Sequence, residues 1–125
     1  MANKEYKTSR DMPIYKKTQT LSDETAKIMF IIDRDFRHTL GQRIYLASME
    51  QLSLLDEAEA LIDKREEYIK LFINRQHTIE EMIKQGVRLN ALDESYYIKV
   101  MPLFENIEKQ ARGWFNATQA KLPES

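Results

Sequence analysis

The chain has 125 residues, 42% of them hydrophobic, which is enough for one buried core. The absence of cysteine excludes a disulfide framework, a thiolate metal site and a cysteine nucleophile. Nineteen basic and twenty acidic side chains give a net charge of -1, so a general electrostatic attraction to nucleic acids or membrane surfaces is absent.

The N-terminal residues 1–12 show no apolar periodicity, and we interpret them as a basic arm. The first seventeen residues hold five basic and two acidic groups, whereas the remaining 108 hold fourteen basic and eighteen acidic groups. The arm is therefore the better place to expect contact with a polyanion. No apolar run reaches the roughly 18 residues of a membrane span, and no secretory signal is evident, so we expect a cytoplasmic protein.

Apolar residues recur at steps of three and four, which predicts amphipathic helices rather than strands. The first stripe predicts a helix over residues 14–34, with Pro13 at a first-turn position that tolerates proline. The second stripe runs from Leu40 to Leu61, and Gln51 is its one polar interruption. Both stripes are typical of helices that pack along their length against neighbours.

Two further stripes follow in the second half of the chain. The third covers residues 62–87 and closes at residues 86–90, where a glycine or an asparagine can take the left-handed conformation that ends helices. Asp93 predicts the N-cap of a fourth helix, whose stripe covers residues 97–118. Pro102 lies inside it and should kink the helix by removing one hydrogen bond.

Four stripes joined by short polar connections predict an all-α fold, an antiparallel up-down-up-down four-helix bundle over residues 13–119 with a tail at 120–125. A three-helix bundle would require the second and third stripes to fuse. The side chains expected in the core are Ile28, Ile32, Ile44, Leu54, Ile73, Ile83, Phe104 and Ile107.

The sequence offers little chemistry for catalysis, so we expect no enzyme, no metal and no cofactor. His38 and His77 do not occur at the spacing that places two metal ligands on one helix face. Carboxylate pairs such as Glu66 and Glu67 are adjacent, so on a helix they point about 100° apart. A glycine-rich phosphate loop and a nucleophile elbow are both missing from the sequence.

Basic side chains near the start of the first helix, around the turn that follows it and on the third helix could bind phosphate groups. The predicted RNA-binding residues are Lys16, Lys17, Arg34, Arg37, Arg43 and Lys84. The alternative is ordinary solubilising charge, with the turn arginines paired to Asp33 and Asp35 and with Lys84 paired to Glu80.

The adjacent aromatic residues Trp114 and Phe115 must point in different directions on a helix. We therefore expect at least one of them to cover a contact with another protein molecule. Leucines that lie beside the stripes, such as Leu46 and Leu71, widen the apolar surface further. Together these residues favour a homo-oligomer.

Three segments carry a resemblance to a known family: residues 12–18 (Met-Pro-Ile-Tyr-Lys-Lys-Thr), Phe36 through the Thr39-Leu40-Gly41 step, and Arg112-Gly113-Trp114. They resemble the four-helix-bundle family that groups the 23S rRNA intervening-sequence proteins with Avd, the accessory variability determinant of diversity-generating retroelements. The resemblance spans about residues 12 to 118, and the Gly-Trp step is its most specific motif.

The resemblance implies a barrel-like homopentamer without catalytic activity. Such a protein binds the reverse transcriptase and template-repeat RNA of the retroelement and supports mutagenic reverse transcription and retrohoming. Lys84 matches a basic position of the family's third helix, whereas Glu80 or Glu81 stands where another is expected. The alternative is an oligomeric interaction protein of the intervening-sequence type that does not bind nucleic acid, and a neighbouring reverse-transcriptase gene would distinguish the two.

Overall fold

The computed structural model describes residues 9–121, which form helices and connecting turns without a β-strand. The all-α prediction is therefore confirmed for this part of the chain. The α-helices are α1 (Pro13–Ala26), α2 (Ile28–Ile31), α3 (Gln42–Ala60), α4 (Arg65–Arg88) and α5 (Glu94–Ala120). Short 3-10 turns form at Ser9–Asp11, Arg34–Phe36 and Ile62–Lys64, and a π-helical turn at Arg37–Gly41 precedes α3. Residues 1–8 of the predicted arm and 122–125 of the predicted tail lie outside the described residues.

The four long helices surround one hydrophobic core. Helix α3 packs against α4, α4 packs against α5, and α1 packs against both α3 and α5. All eight side chains that the periodicity placed in the core are buried. Burying a side chain of this size contributes roughly 1.5–3 kcal/mol before the loss of conformational entropy is counted.

The first predicted helix was too long, because regular α1 ends at Ala26 and only the single turn α2 follows. The backbone becomes extended at Ile32, with ψ 148°. Next to it, Asp33 N–H donates to the carbonyl of Ala91 at 2.9 Å, and the Asp33 carboxylate accepts from Asp35 N–H at 2.9 Å. These bonds give the N–H groups of Asp33 and Asp35 partners outside a helix. The apolar periodicity of the sequence contains no sign of them.

The second and third stripes form separate helices, and the prediction that Ile62 opens the third stripe was wrong. Ile62 is 71% exposed in the 3-10 turn before α4. The corner is held by Arg65, whose Nε donates to the carbonyl of Ala58 at 2.7 Å and whose Nη2 donates to that of Glu59 at 2.8 Å. The guanidinium thus satisfies carbonyls at the end of α3 that have no partner within the helix.

Helix α4 ends after Arg88, and the left-handed residue that the sequence predicted there, a glycine or an asparagine, is Asn90. Asn90 has φ 56°, its N–H donates to the carbonyl of Val87 at 3.0 Å, and the N–H of Ala91 donates to the carbonyl of Gly86 at 2.8 Å. This pair of bonds is the Schellman motif. Gly86 itself stays helical and serves packing, since an added Cβ would lie 2.8 Å from Leu92 Cδ1.

Helix α5 begins as predicted, with the Asp93 carboxylate accepting from Ser95 N–H at 2.9 Å. The helix continues across Pro102. Proline deprives the carbonyl of Ile98 of its helical partner. Both residues are exposed, so water can bind that carbonyl.

The core stripe of α5 contains Tyr96, not the predicted Tyr97. Tyr96 is buried and Tyr97 is half-buried. The Tyr96 hydroxyl donates to the carbonyl of Glu24 on α1 at 3.1 Å, and burial raises the pKa of this phenol strongly. Because the two residues are neighbours, the rotation of α5 about its axis decides which of them faces α1 and the core.

Candidate functional site

The predicted RNA-binding residues do not form one patch. Lys16 and Lys17 are exposed in the first turns of α1, whereas Arg34 and Arg37 follow α2, beyond the other end of that helix. At 1.5 Å per helical residue the two groups lie on the order of 20 Å apart. One phosphate therefore cannot contact both groups.

The turn arginines are at the end of the bundle that holds the α4–α5 connection. Arg34 and Arg43 are exposed, and Arg37 is half-buried with no hydrogen-bond partner for its Nε. The ion pairs within residues 9–121 do not include these arginines, and Asp33 caps the backbone instead of pairing with them. The predicted neutralisation by Asp33 and Asp35 is therefore absent, which leaves these guanidinium groups able to bind an anion.

Beside these arginines lies an open groove of about 620 Å³, which we call the end groove. Apolar side chains contribute most of its lining surface, and polar side chains contribute the rest. The lining residues used below are Phe36, Leu40, Leu46, Leu89, His38 and Arg43. Leu46 and Leu89 are exposed within it, so the end groove presents apolar surface together with the guanidinium of Arg43.

Lys84 is already engaged within the molecule. Its Nζ lies 3.3 Å from Glu81 Oε1 and 5.9 Å from the centre of the Tyr97 ring, and the hydrogen bond with Glu81 is the main cause of its raised pKa. Glu80, the partner predicted for Lys84, instead accepts a hydrogen bond from the Tyr97 hydroxyl at 3.3 Å. This local neutralisation weakens Lys84 as a phosphate ligand.

Trp114 and Phe115 face different grooves. The Trp114 ring lies 5.4 Å from the Arg65 guanidinium carbon, and with Ile62 it lines a small groove at the end of α5. Phe115 faces α4 and lines another groove. Both rings are only half-buried, so each keeps surface for a further contact.

The two glycines of the family-like segments differ in their surroundings. At Gly41 an added Cβ would lie 3.2 Å from Ile32 Cγ2 and 3.4 Å from the carbonyl oxygen of Phe36, so close packing explains this glycine. At Gly113 no atom of the described residues lies within 4 Å of the Cβ position, apart from the chain neighbours of this glycine and the backbone of its own helix. A glycine inside a helix costs roughly 0.5–1 kcal/mol relative to alanine. The described part of the chain gives no packing reason for Gly113.

A groove of about 350 Å³, which we call the basic groove, lies between α4 and α5 and is lined mainly by polar side chains. Its lining residues are Lys70, Ile73, Asn74, His77, Arg112, Phe115 and Asn116. None of the polar ones is among the residues predicted to bind RNA or another protein molecule. Their only signal was the spacing of Lys70, Asn74 and His77 beside the core stripe, and the packing of α5 was needed to bring Arg112 and Asn116 opposite them.

Glu108 borders the basic groove and accepts hydrogen bonds from two of its side chains, His77 and Arg112. His77 Nε2 donates to Glu108 Oε1, and Arg112 Nε donates to Oε2 at 3.2 Å. The hydrogen bond from His77 is the largest cause of the lowered pKa of Glu108, and Arg112 acts in the same direction. The carboxylate therefore neutralises part of the groove while no ligand is bound.

Within residues 9–121, no group of three or more histidine, aspartate or glutamate side chains could hold a metal ion. No helix in the same range is long and apolar enough to cross a membrane. The structure thus offers grooves and surfaces, with no arrangement recognisable as a metal centre among these residues.

No protein-family model, curated protein or solved structure matches this chain. The likeness of residues 12–118 to the Avd and intervening-sequence family therefore stays a prediction from the sequence.

Acid should weaken the bundle partly through Glu24. Lys27 lies 2.9 Å and Lys99 3.4 Å from its carboxylate oxygens, and the hydrogen bond with Lys27 chiefly lowers its pKa below the ordinary value of 4.5. A carboxylate whose pKa is lower in the folded than in the unfolded chain stabilises the fold at any pH above its unfolded-state pKa. This stabilisation is lost as the pH falls through the folded-state pKa. We expect urea unfolding free energy to fall below about pH 4.5, with a smaller fall for Glu24→Gln. The same fall in both proteins, or a smaller fall in the exposed control Glu81→Gln, would contradict this assignment.

Proposed function

We propose that this chain is a non-catalytic, cytoplasmic accessory protein of a diversity-generating retroelement. It binds the reverse transcriptase and the template-repeat RNA, and so supports mutagenic reverse transcription and retrohoming. The observation that carries the proposal is Gly113 beside Trp114: the most specific motif of the resemblance is a helical glycine with open space around it. We infer that another molecule contacts α5 in the open space at Gly113.

We infer further that the four long helices run antiparallel in up-down-up-down order. Pairs between α3 and α4 support this order, because Ala58 contacts Arg65 while Gln51, earlier in α3, contacts Gln76, later in α4. Pairs between α4 and α5 follow the same rule, with Glu66 bonded to Gln119 and His77 to Glu108. Short connections of the kind seen here favour antiparallel neighbours.

In the proposed assembly, copies of the chain form a homo-oligomer, a pentamer by resemblance, in which a neighbouring backbone approaches α5 at Gly113. The surrounding surface suits such a contact because Trp114 is half-buried and Ile62 is largely exposed next to it. A ring of this kind would leave the end groove, with Leu46 and Leu89, for the polymerase. Aromatic side chains and arginine are enriched in protein interfaces, whose rims are polar.

The variant Gly113→Ala separates folding from assembly. Alanine should raise the unfolding free energy of the monomer by about 0.5–1 kcal/mol, because it has the better helix propensity and space is available. The same methyl group should weaken the oligomer at least severalfold, since it occupies the approach of the neighbour. Light scattering at micromolar concentration should report a mass well above 14.8 kDa for the natural chain and a lower mass for the variant.

The matched control is Ser53→Ala, which also raises helix propensity at an exposed position but lies on α3, outside the groove lined by Trp114 and Ile62. This control should keep the mass of the natural chain. A clean monomer mass for the natural chain, or an unchanged oligomer in Gly113→Ala and Gly113→Leu, would refute the close approach at this glycine.

RNA binding is tested by the salt dependence of its affinity. Each neutralised phosphate contributes roughly -0.7 to the log-log slope for single strands, so three or four contacts per protomer should give about -2 to -3. Reversing charge at Arg37 and Arg43 should flatten the slope by about 1.4. Unchanged affinity and slope in Arg37→Glu/Arg43→Glu would favour the alternative without nucleic acid, the intervening-sequence type of interaction protein.

Binding of the polymerase is tested first by searching the neighbouring genes for a reverse transcriptase and then by co-purification of this chain with the enzyme found there. Replacing Leu46 and Leu89 by lysine in the end groove should abolish co-purification while circular dichroism stays helical. The exposed Leu71, changed to lysine in the same way, is the control and should retain the polymerase. Failure of the natural chain to retain the polymerase would overturn the retroelement function.

A further inference from the structure

The basic groove combines three kinds of binding chemistry at one place. Lys70 and Arg112 supply cations, Asn74 and Asn116 supply amides that both donate and accept, and Phe115 supplies a partly exposed aromatic ring. Its volume of about 350 Å³ is at the lower end of the range for small-ligand sites, roughly 300–1,000 Å³. A ligand that uses all three must be anionic at one end and flat and polar-edged at the other.

Charge in the groove is arranged so that a ligand anion can replace a protein carboxylate. Glu108 holds His77 and Arg112 at the border of the groove, whereas Lys70 takes part in none of the ion pairs found between residues 9 and 121. Arg112 is more than half exposed and its planar fork can turn from Glu108 to a phosphate. The groove can therefore bind an anion, but the anion must compete with Glu108 for Arg112.

We propose that the basic groove binds a nucleoside monophosphate unit, either free or within a single strand of RNA. Lys70 and Arg112 bind the phosphate, the base stacks on Phe115, and the amides of Asn74 and Asn116 bond its polar edge. Stacking on an aromatic ring next to cationic groups is the common way in which proteins hold unpaired nucleotides. The proposal goes beyond the RNA contact described above, because none of the six residues predicted to bind RNA lines this groove.

The site is tested by calorimetric titration of the full chain with uridine monophosphate, ribose 5-phosphate and a ten-residue oligouridylate. Lys70→Gln and Arg112→Gln should each weaken uridine monophosphate binding about tenfold, as expected for the loss of one charged hydrogen bond. Phe115→Leu should weaken uridine monophosphate but leave ribose 5-phosphate unchanged. Glu108→Gln should tighten all phosphate ligands about fivefold, because the competing carboxylate is gone.

The control is Arg75→Gln, which removes an exposed arginine of α4 that is paired at 3.4 Å with Glu50 of α3, outside the groove. It should bind every ligand like the natural chain. Where Lys70→Gln and Arg112→Gln weaken both ligands, tighter binding of the oligonucleotide assigns the site to RNA, and tighter binding of the monophosphate assigns it to free nucleotide; both results support the groove. Oligonucleotide binding that these two variants leave unchanged belongs to other residues and overturns the groove. Absence of binding by both at millimolar concentration, or equal losses in Arg75→Gln and Arg112→Gln, overturns it.

Co-purification of the reverse transcriptase is measured on the same variants, so that the two proposals fail separately. Lys70→Gln and Arg112→Gln should retain the polymerase even where nucleotide binding is lost. Retention of the polymerase by a natural chain that binds no nucleotide overturns only the groove. Circular dichroism confirms that each variant is folded.

Discussion

Replacing Ile28 by alanine is expected to lower the free energy of unfolding by about 2–5 kcal/mol, the largest single effect we predict. Ile28 is 0% exposed in the single turn α2, and its Cγ2 lies 3.6 Å from the position of a Cβ on Gly41. Truncation therefore leaves a cavity between α2 and the start of α3 that neither backbone can easily fill. Urea denaturation followed by circular dichroism at 222 nm measures the change.

The matched control is Ile31→Ala in the same turn, where the side chain is 55% exposed. This variant should change the unfolding free energy by less than about 0.5 kcal/mol, because folding buries little of the Ile31 side chain. Similar losses in both variants would mean that α2 does not pack as described.

Replacing Gln51 by leucine is expected to destabilise the chain by about 1–3 kcal/mol, although leucine is more hydrophobic. Gln51 Nε2 donates to Gln76 Oε1 at 2.7 Å and to the carbonyl of Phe72 at 2.9 Å, and the two glutamines are 0% and 2% exposed. The single change leaves the Gln76 amide buried without its partner. Its desolvation cost then exceeds the gain from the new methyl groups.

The double variant Gln51→Leu/Gln76→Leu should recover the lost stability or exceed that of the natural chain. Gln51 Oε1 and Gln76 Nε2 have no hydrogen-bond partner even in the natural pair, so two leucines of similar size remove a cost that already exists. Denaturation of both singles and the double gives the coupling energy. If the double were no more stable than the singles, the amide pair would not be the unit that the structure indicates.

If this polar pair fixes the alignment of α3 against α4, the double variant should also show more than one oligomeric mass by light scattering. Single buried amides fix register in helical assemblies at a cost in stability. The sequence showed Gln51 as the one polar position in its stripe, but its partner is 25 residues away and became visible only in the fold.

The helices were predictable because burial imposes a period on the sequence. Ile44, Ile83 and Ile107 repeat with their neighbours at steps of three and four, and each is fully buried. Caps were predictable for a local reason: Asp93 and Asn90 act on backbone groups within a few residues of themselves. The end of α2 at Ile32 was not, since Asp33 N–H next to it donates to the carbonyl of Ala91 on a distant segment.

Candidate binding residues were predictable one by one, but their grouping was not. Charge alone drew attention to Lys17, Arg37 and Lys84, and the fold separates the first from the second and ties the third to Glu81. Trp114 and Phe115 were expected to diverge, which follows from about 100° of rotation per helical residue, and they do face different grooves.

The all-α class, the number of long helices, the caps at Asn90 and Asp93 and most of the core were predictable, because each depends on near neighbours or on one repeating face. The fold was needed to show that Lys70 and His77 of α4 share a groove with Arg112 and Asn116 of α5, and that Glu108 bonds to two of these side chains. Those groupings depend on how far each helix is rotated and shifted against the next. That choice is made by the packing of whole helix faces, which no local segment contains.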